Sequence, residues 1–126
     1  MTDIKPISVL YVEDDAITRL AVGGFIKRIA VVYLAADGQE GLELFKQYKP
    51  DIVVTDMAMP VMGGIEMINR IVELSPDVPI IVTTAYNDAE YRSDKAWATL
   101  NKPIVREELI EAIKECSERR CGGQDK

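Results

Sequence analysis

Four apolar runs in this sequence end on side chains that can take part in polar chemistry. In chain order these side chains are Glu13 with Asp14, Asp56, Thr84, and Lys102. Carboxylates bind hard divalent cations, a hydroxyl donates hydrogen bonds, and an ammonium neutralises negative charge that develops in a reaction. Together they could handle a phosphoryl group. Each has a simpler explanation when it is taken alone, because acids are common at helix N-termini and lysines at surfaces.

The composition narrows the chemistry further. Histidine is absent, which removes the usual general base and every dyad of serine or cysteine with histidine. The formal charge of −6 argues against direct nucleic-acid binding. No apolar run approaches the roughly twenty residues of a membrane helix, and residues 1–6 lack the apolar core of a signal peptide, so we expect a cytoplasmic protein. Cys116 and Cys121 are expected to be reduced, since a bridge between them would constrain almost nothing.

Strand-like and helix-like segments alternate along the chain. The predicted strands are short apolar runs without polar alternation, typical of strands covered on both faces; they are 7–12, 30–35, 51–56, 78–84 and 96–100. In the first predicted helix, the residues expected to face inward are Ile17, Leu20, Ala21, Gly24 and Phe25. The fourth predicted helix, 88–95, contains little apolar material, so it is expected to be short or weak.

This alternation predicts an α/β protein with a doubly wound sheet of five parallel strands and helices on both faces. The carboxyl ends of parallel strands meet at one edge of the sheet, and ligands of such folds bind there. The polar side chains at the strand ends are therefore expected to lie together; they are Glu13, Asp14, Asp56, Thr84 and Lys102. At 126 residues the chain is long enough for one domain. We expect that domain to span residues 1–120, with 121–126 forming a flexible tail or a truncated linker.

The motifs around these residues resemble those of the receiver domain of bacterial two-component response regulators. The resemblance extends from about Ile7 to Cys116, and its motifs occur in the family's order, each at a strand end. They are Tyr11-Val12-Glu13-Asp14, Asp56-x-x-x-Pro60 followed by Gly64, Thr84-Ala85, and Lys102-Pro103. The resemblance implies the flavodoxin-like strand order 2-1-3-4-5. It also implies a signalling module that takes part in its own phosphorylation, rather than an enzyme.

The resemblance implies roles for the residues around the phosphoryl group. Asp56 would accept that group from a histidine kinase or a phosphotransfer protein. Thr84 and Lys102 would hold the phosphoryl oxygens, and the Lys102-Pro103 bond would be the cis peptide that aims the lysine. The modified module would act on an output protein or effector domain.

A magnesium ion is the cofactor that the resemblance implies. Asp14 and Asp56 would bind Mg²⁺ directly, Glu13 would act through water, and the backbone carbonyl of Ala58 would complete the protein ligands. The electrostatics agree with this expectation. Carboxylates about 4 Å apart repel each other by about 4 kcal/mol per pair at an effective dielectric constant near 20, so such a cluster requires a cation.

Two departures from the family pattern lie between the hydroxyl and the lysine. Thr99 occupies the position where family members usually have an aromatic residue, and the segment is about a helical turn shorter than usual. Trp97 is expected on the same strand face as Thr99, about 6.6 Å back along the strand, too far to replace that aromatic residue. The phosphorylation site is therefore predicted to be intact and the switch to be altered.

Two further residues are expected to affect the lifetime of the phosphoryl group in this family. Ala58 lies two residues beyond the nucleophile and has no polar group to orient an attacking water. Tyr86 lies two residues beyond the hydroxyl and is bulky enough to screen the phosphoryl group. Both residues favour slow self-hydrolysis.

Other functions fit parts of the pattern. A phosphatase of the haloacid-dehalogenase type uses an aspartyl nucleophile and magnesium, but it needs Asp-x-Asp after the first strand, and Glu13-Asp14-Asp15 does not match. A flavin- or nucleotide-binding module would need glycines in that loop, where acids would repel a phosphate. A receiver-like interaction module with an intact site and altered switching is the strongest alternative.

Overall fold

The computed structural model describes residues 7–57, 61–85 and 95–123, with side chains as far as Arg119. The elements in these ranges are β1 (Ser8–Val12), α1 (Ala16–Lys27), β2 (Val31–Ala35), α2 (Gly38–Tyr48), β3 (Ile52–Asp56), α3 (Gly64–Leu74), β4 (Ile80–Thr84), β5 (Ala98–Asn101) and α4 (Arg106–Gly123). The strands form one parallel sheet in the order β2-β1-β3-β4-β5, which confirms the predicted doubly wound, flavodoxin-like fold. The weak helix predicted at 88–95 lies outside the described residues, except for Lys95.

Helices cover the sheet on both faces, so its central strands are buried along their whole length and are apolar up to their polar carboxyl ends. Every residue of β3 and β4 is buried. Side chains from α2 and α3 form the core on one face, and those from α1 and α4 form it on the other. None of the helices in the described ranges is long and apolar enough to span a lipid bilayer.

The inward face of α4 follows the helical spacing of its apolar residues. Leu109, Ala112, Ile113 and Cys116 are all buried against the sheet. The helix then continues to Gly123, so its last residues belong to the segment that was expected to be a tail.

The prediction for the inward face of α1 is wrong. Ile17 and Leu20 are 81% and 68% exposed, and the residues that pack inward are Val22, Gly23 and Ile26. A Cβ atom on Gly23 would come within 2.9 Å of the Leu34 side chain, so glycine lets this face of the helix lie directly on β2. Apolar residues occupy both sides of α1, and close packing at Gly23 selects the side that is buried.

Polar caps determine where α1 and α2 begin. The Asp15 carboxylate accepts a hydrogen bond from the Thr18 amide (2.8 Å), and Asp37 accepts one from Glu40 (2.8 Å). The bonds from Thr18 hold the pKa of Asp15 below its usual range. Because α1 begins immediately after Asp15, the loop that carries Glu13 and Asp14 is kept short.

Candidate functional site

The carboxyl ends of the strands bring most of the predicted site residues to one edge of the sheet. Carboxylate oxygens of Glu13, Asp14 and Asp56 lie within 4.8 Å of one another. Strand register accounts for the rest of the arrangement: Asp56 pairs with Thr83, and Thr84 pairs with Asn101, the residue before Lys102. The structure therefore groups three acids, a threonine at a strand end and a lysine.

Asp56 is held at the tip of β3 with only 7% of its surface exposed. Its Oδ1 accepts a hydrogen bond from the Met57 amide (2.8 Å), and its backbone carbonyl accepts one from the Thr55 hydroxyl (2.7 Å). Gly64 packs against the same turn: a Cβ atom there would lie 2.5 Å from the Asp56 carbonyl oxygen. A glycine is needed at this position because the chain passes so close behind the acid.

Lys102 reaches into the cluster from the end of β5. Its Nζ lies 3.0 Å from Glu13 Oε1 and 3.2 Å from Asp56 Oδ2. The Lys102-Pro103 peptide is cis, as expected, and the Lys102 amide donates a hydrogen bond to the Thr84 carbonyl (2.8 Å). Burial disfavours the charge on Lys102, but the Glu13 and Asp56 carboxylates outweigh it and hold the pKa of the ammonium above its usual range.

Glu13 is the most deeply buried acid of the cluster, at 1% exposure. Its Oε2 accepts a hydrogen bond from the Asp15 amide (3.1 Å). Its Oε1 is close to the Lys102 ammonium but receives no well-directed hydrogen bond. We treat that contact as an ion pair, because Coulomb attraction depends on distance more than on angle. Burial raises the pKa of Glu13, and the bonds from Asp15 and Lys102 compensate only in part.

Two buried hydroxyls beside the cluster were missed by the sequence analysis. Tyr11 and Thr83 are both 0% exposed, and neither hydroxyl makes a well-directed hydrogen bond, although the Tyr11 hydroxyl is close enough to the Glu13 carboxylate to interact with it. Burial first, and then the charges of Glu13 and Asp56, raise the pKa of Tyr11 well above its usual range. The alternation of side chains along β1 was a usable signal, because it puts Tyr11 on the same sheet face as Glu13.

The residues expected to affect switching do not lie together. Thr99 is exposed, whereas Trp97 packs with the core beneath α1 and α4, and the Arg119 guanidinium lies 4.6 Å from the Trp97 ring centre. The expected common face is therefore wrong, because Trp97 precedes β5 and strand alternation does not reach it. The other positions, Ala58 and Tyr86, lie outside the described residues.

The acidic cluster fits a magnesium ion in its donor chemistry. Glu13, Asp14 and Asp56 offer only carboxylate oxygens, which Mg²⁺ prefers, and Asp14 is exposed to solvent where the ion would keep water ligands. Lys102 forms ion pairs with two of the three acids in the described arrangement, and its single positive charge leaves the cluster net negative. The predicted carbonyl ligand, Ala58, is not among the described residues.

Comparison with known proteins identifies the family. A profile of the response regulator receiver domain matches residues 9–114. This chain belongs to the receiver domain family. The receiver is 35% identical over 114 residues to the transcriptional regulatory protein PdtaR of Mycobacterium tuberculosis, a match that covers 86% of this chain and 55% of PdtaR.

Two further proteins match the receiver over nearly their whole length, one in sequence and one in fold. It is 34% identical over 115 residues to the chemotaxis protein CheY of Thermotoga maritima, which covers 86% of this chain and 96% of that protein. A CheY-like receiver domain from Methanospirillum hungatei has the same fold, with a TM-score of 0.89 at 24% identity over 94% of this chain and 99% of that one. The receiver thus spans about half of PdtaR but almost all of CheY.

Proposed function

We propose that this receiver is a phosphoacceptor module that uses Asp56 to take a phosphoryl group from a histidine kinase or a phosphotransfer protein. The observation that carries the proposal is the position of Lys102, whose ammonium lies 3.2 Å from Asp56 at the edge of an acidic cluster. This geometry puts a cation beside the carboxylate that would be modified. The ammonium can neutralise the negative charge that accumulates on the phosphoryl oxygens during transfer.

In the proposed reaction, an oxygen of the Asp56 carboxylate attacks the phosphorus of a phosphohistidine. A P–O bond forms as the P–N bond breaks, and the imidazole nitrogen keeps the electron pair and takes up a proton. Lys102 turns from the carboxylates to the phosphoryl oxygens, and the Thr84 hydroxyl binds another of them. Glu13, Asp14 and Asp56 would hold Mg²⁺, which neutralises the phosphoryl oxygens when it is bound.

The exposed face of α1 suggests where the donor binds. This helix starts beside the acidic cluster, and its solvent-facing stripe is apolar; the stripe consists of Ile17, Leu20, Ala21 and Gly24. Large exposed apolar side chains in a continuous patch often mark contact sites for other proteins. A donor that covers this stripe brings its phosphohistidine next to Asp56.

Mass spectrometry after incubation with acetyl phosphate tests the proposal. The wild-type protein should gain one phosphoryl group with Mg²⁺ and none when the ion is chelated. Asp56→Ala should gain none, whereas Asp77→Ala, at an exposed aspartate away from the site, should behave like wild type. A folded wild-type protein whose mass does not change would show that the module is not an active phosphoacceptor.

A receiver-like interaction module is the second candidate, and one observation favours it. Thr99 is exposed on β5 where the family usually has an aromatic switch residue. In that case the site would be retained while phosphorylation has little effect on the output surface. We propose no turnover of external phosphate esters in either case, in contrast to an aspartyl-phosphate phosphatase.

A further inference from the structure

Three buried oxygen atoms next to the acidic cluster lack a well-directed hydrogen bond. Within the described residues they are Tyr11 Oη, Glu13 Oε1 and Thr83 Oγ1. Buried polar atoms in folded proteins nearly always have partners, because an unsatisfied one loses its interaction with water without a replacement. Two of these atoms, Tyr11 Oη and Glu13 Oε1, are a donor and an acceptor for a hydrogen bond that forms in another state of the site.

The strands place these atoms on one side of the sheet. Tyr11 and Glu13 are two residues apart at the end of β1, and Thr83 pairs with Asp56 on the neighbouring strands. The Tyr11 ring is fully buried with the core residues of α1 and α4, so the ring is held in place. Its hydroxyl interacts electrostatically with the carboxylates of both Glu13 and Asp56.

The single charge of Lys102 cannot stabilise Glu13, Asp56 and a phosphoryl group at the same time. In the described arrangement its Nζ contacts both Glu13 and Asp56. Once it turns to a phosphoryl group, Glu13 Oε1 loses its direct contact with the ammonium, and Mg²⁺, which Glu13 would reach only through water, does not supply a direct donor to this carboxylate that is 1% exposed. A hydrogen-bond donor near Glu13 would lower the cost of this movement.

We propose that Tyr11 is a positioning residue for Glu13: its phenolic hydroxyl donates a hydrogen bond to Glu13 Oε1 when Lys102 turns to a phosphoryl group on Asp56. This inference rests on the proposed phosphoacceptor function. The hydroxyl is suited to the role because it is buried and has no other partner. The core holds its ring in a fixed position. A bond from a hydroxyl to a carboxylate is among the stronger hydrogen bonds in proteins.

Tyr11→Phe tests the proposal because it removes the hydroxyl and nothing else. In the unmodified protein that hydroxyl makes no well-directed hydrogen bond, so the variant should unfold at the same temperature as wild type or at a higher one. With Mg²⁺ and beryllofluoride, a phosphate mimic, Tyr11→Phe should instead unfold at a lower temperature than wild type. Beryllofluoride should bind to the variant roughly tenfold more weakly than to wild type. If Tyr11 had a purely structural role, the substitution would shift the unfolding temperatures of the unmodified and the beryllofluoride-bound protein in the same direction.

Thr83→Val is the matched control, because it removes the other buried hydroxyl without a partner. It should change the stability of both states equally and leave beryllofluoride affinity unchanged. An equal loss of affinity in this control, or unchanged affinity in Tyr11→Phe, would overturn the role of Tyr11 while the phosphoacceptor function stands. A wild-type protein that beryllofluoride does not stabilise would overturn the proposed function, and the role of Tyr11 with it.

A measurement on the wild-type protein makes the test independent of any variant. Nuclear magnetic resonance with tyrosine labelled at Cζ should show that the ring signal assigned to Tyr11 shifts when Mg²⁺ and beryllofluoride are added together. Tyr33 and Tyr48, which stack on each other with ring centres 4.4 Å apart, provide internal references that should not shift. A Tyr11 signal that stays in place while the Asp56 amide shifts would contradict the proposal.

Discussion

Lys102 and Asp56 form an ion pair of 3.2 Å although they come from strands that are not neighbours. β4 lies between β3 and β5, and Lys102 reaches past its end while its own amide is bonded to the Thr84 carbonyl. The lysine thereby neutralises acids that would otherwise repel each other. Because the proposed phosphorylation would use the same ammonium, the stability of the unmodified domain and the proposed reactivity would depend on one side chain.

Lys102→Ala should destabilise the unmodified protein by about 1–3 kcal/mol, because it leaves the buried Glu13 carboxylate without its cation. The lower part of this range is more realistic, since a quarter of the Lys102 side chain is exposed to water. Urea unfolding measures the change, with Lys114→Ala on the exposed side of α4 as the control. Adding Glu13→Gln should restore much of the loss, and a Lys102→Ala protein as stable as wild type would contradict the expectation.

The apolar stripe on α1 should contribute to recognition of the phosphoryl donor but not to the chemistry. Ile17→Ser and Leu20→Ser should each lower the rate of phosphotransfer from a histidine kinase roughly tenfold, by loss of buried apolar contact. Uptake from acetyl phosphate should be unchanged. Phosphotransfer assays against the histidine kinases of the source organism measure this, and Val105→Ser, at an exposed valine elsewhere, is the control. Equal losses of rate with the histidine kinase and with acetyl phosphate would show that the substitutions damage the phosphorylation site itself, and would contradict this prediction.

The phosphoryl group on Asp56 should be long-lived. Ala58 cannot orient an attacking water, and Tyr86 is large enough to hinder its approach. The double variant Ala58→Asn with Tyr86→Glu should lose the phosphoryl group faster than wild type, as followed by intact mass over time after the donor is removed. The idea fails if the double variant keeps its phosphoryl group as long as wild type does.

Coupling from Asp56 to the output surface should be weak. Thr99 is too small to fill space when Thr84 moves, and Trp97 packs on the other side of the sheet under Arg119. A ligand shifts a population only by its difference in affinity for the two states, so losing the aromatic residue should reduce that difference. Beryllofluoride should strongly perturb the amide resonances around Glu13, Asp56 and Thr84.

The same titration should leave residues 91–100 almost unperturbed and Trp97 fluorescence unchanged. The unmodified protein with Mg²⁺ alone provides the baseline. Large shifts of the amide resonances across 91–100 would show that another side chain couples Asp56 to the output surface, and would contradict this prediction.

Val61 is expected to be a strained position next to the site. Its φ of 68° lies in the left-handed region, which a β-branched residue rarely adopts, and its side chain is 82% exposed. Val61→Asn should therefore stabilise the protein by about 1 kcal/mol, because asparagine tolerates this backbone and no packing is lost. Thermal unfolding measures the gain, and Val61→Thr, which keeps a β-branched residue at the positive φ, should show none. A Val61→Asn protein that is less stable than wild type would mean that the valine side chain has a contact role.

The order of elements and the meeting of the site residues followed from the sequence alone. Alternating strands and helices impose a parallel sheet, and parallel strands bring their carboxyl ends to one edge, so Glu13, Asp56 and Lys102 could be grouped before any coordinates were known. The buried face of α4 was equally predictable, because apolar residues occupy only one of its sides.

Tertiary packing decided the features for which the sequence allowed more than one answer. α1 has apolar residues on both sides, and the packing of Val22, Gly23 and Ile26 against the sheet determines which side is buried. Trp97 lies just before β5, where strand alternation does not apply, and its direction depends on the core beneath α4. The unpartnered hydroxyl of Tyr11 could not be predicted either, because hydrogen-bond satisfaction depends on three-dimensional neighbours that no local pattern encodes.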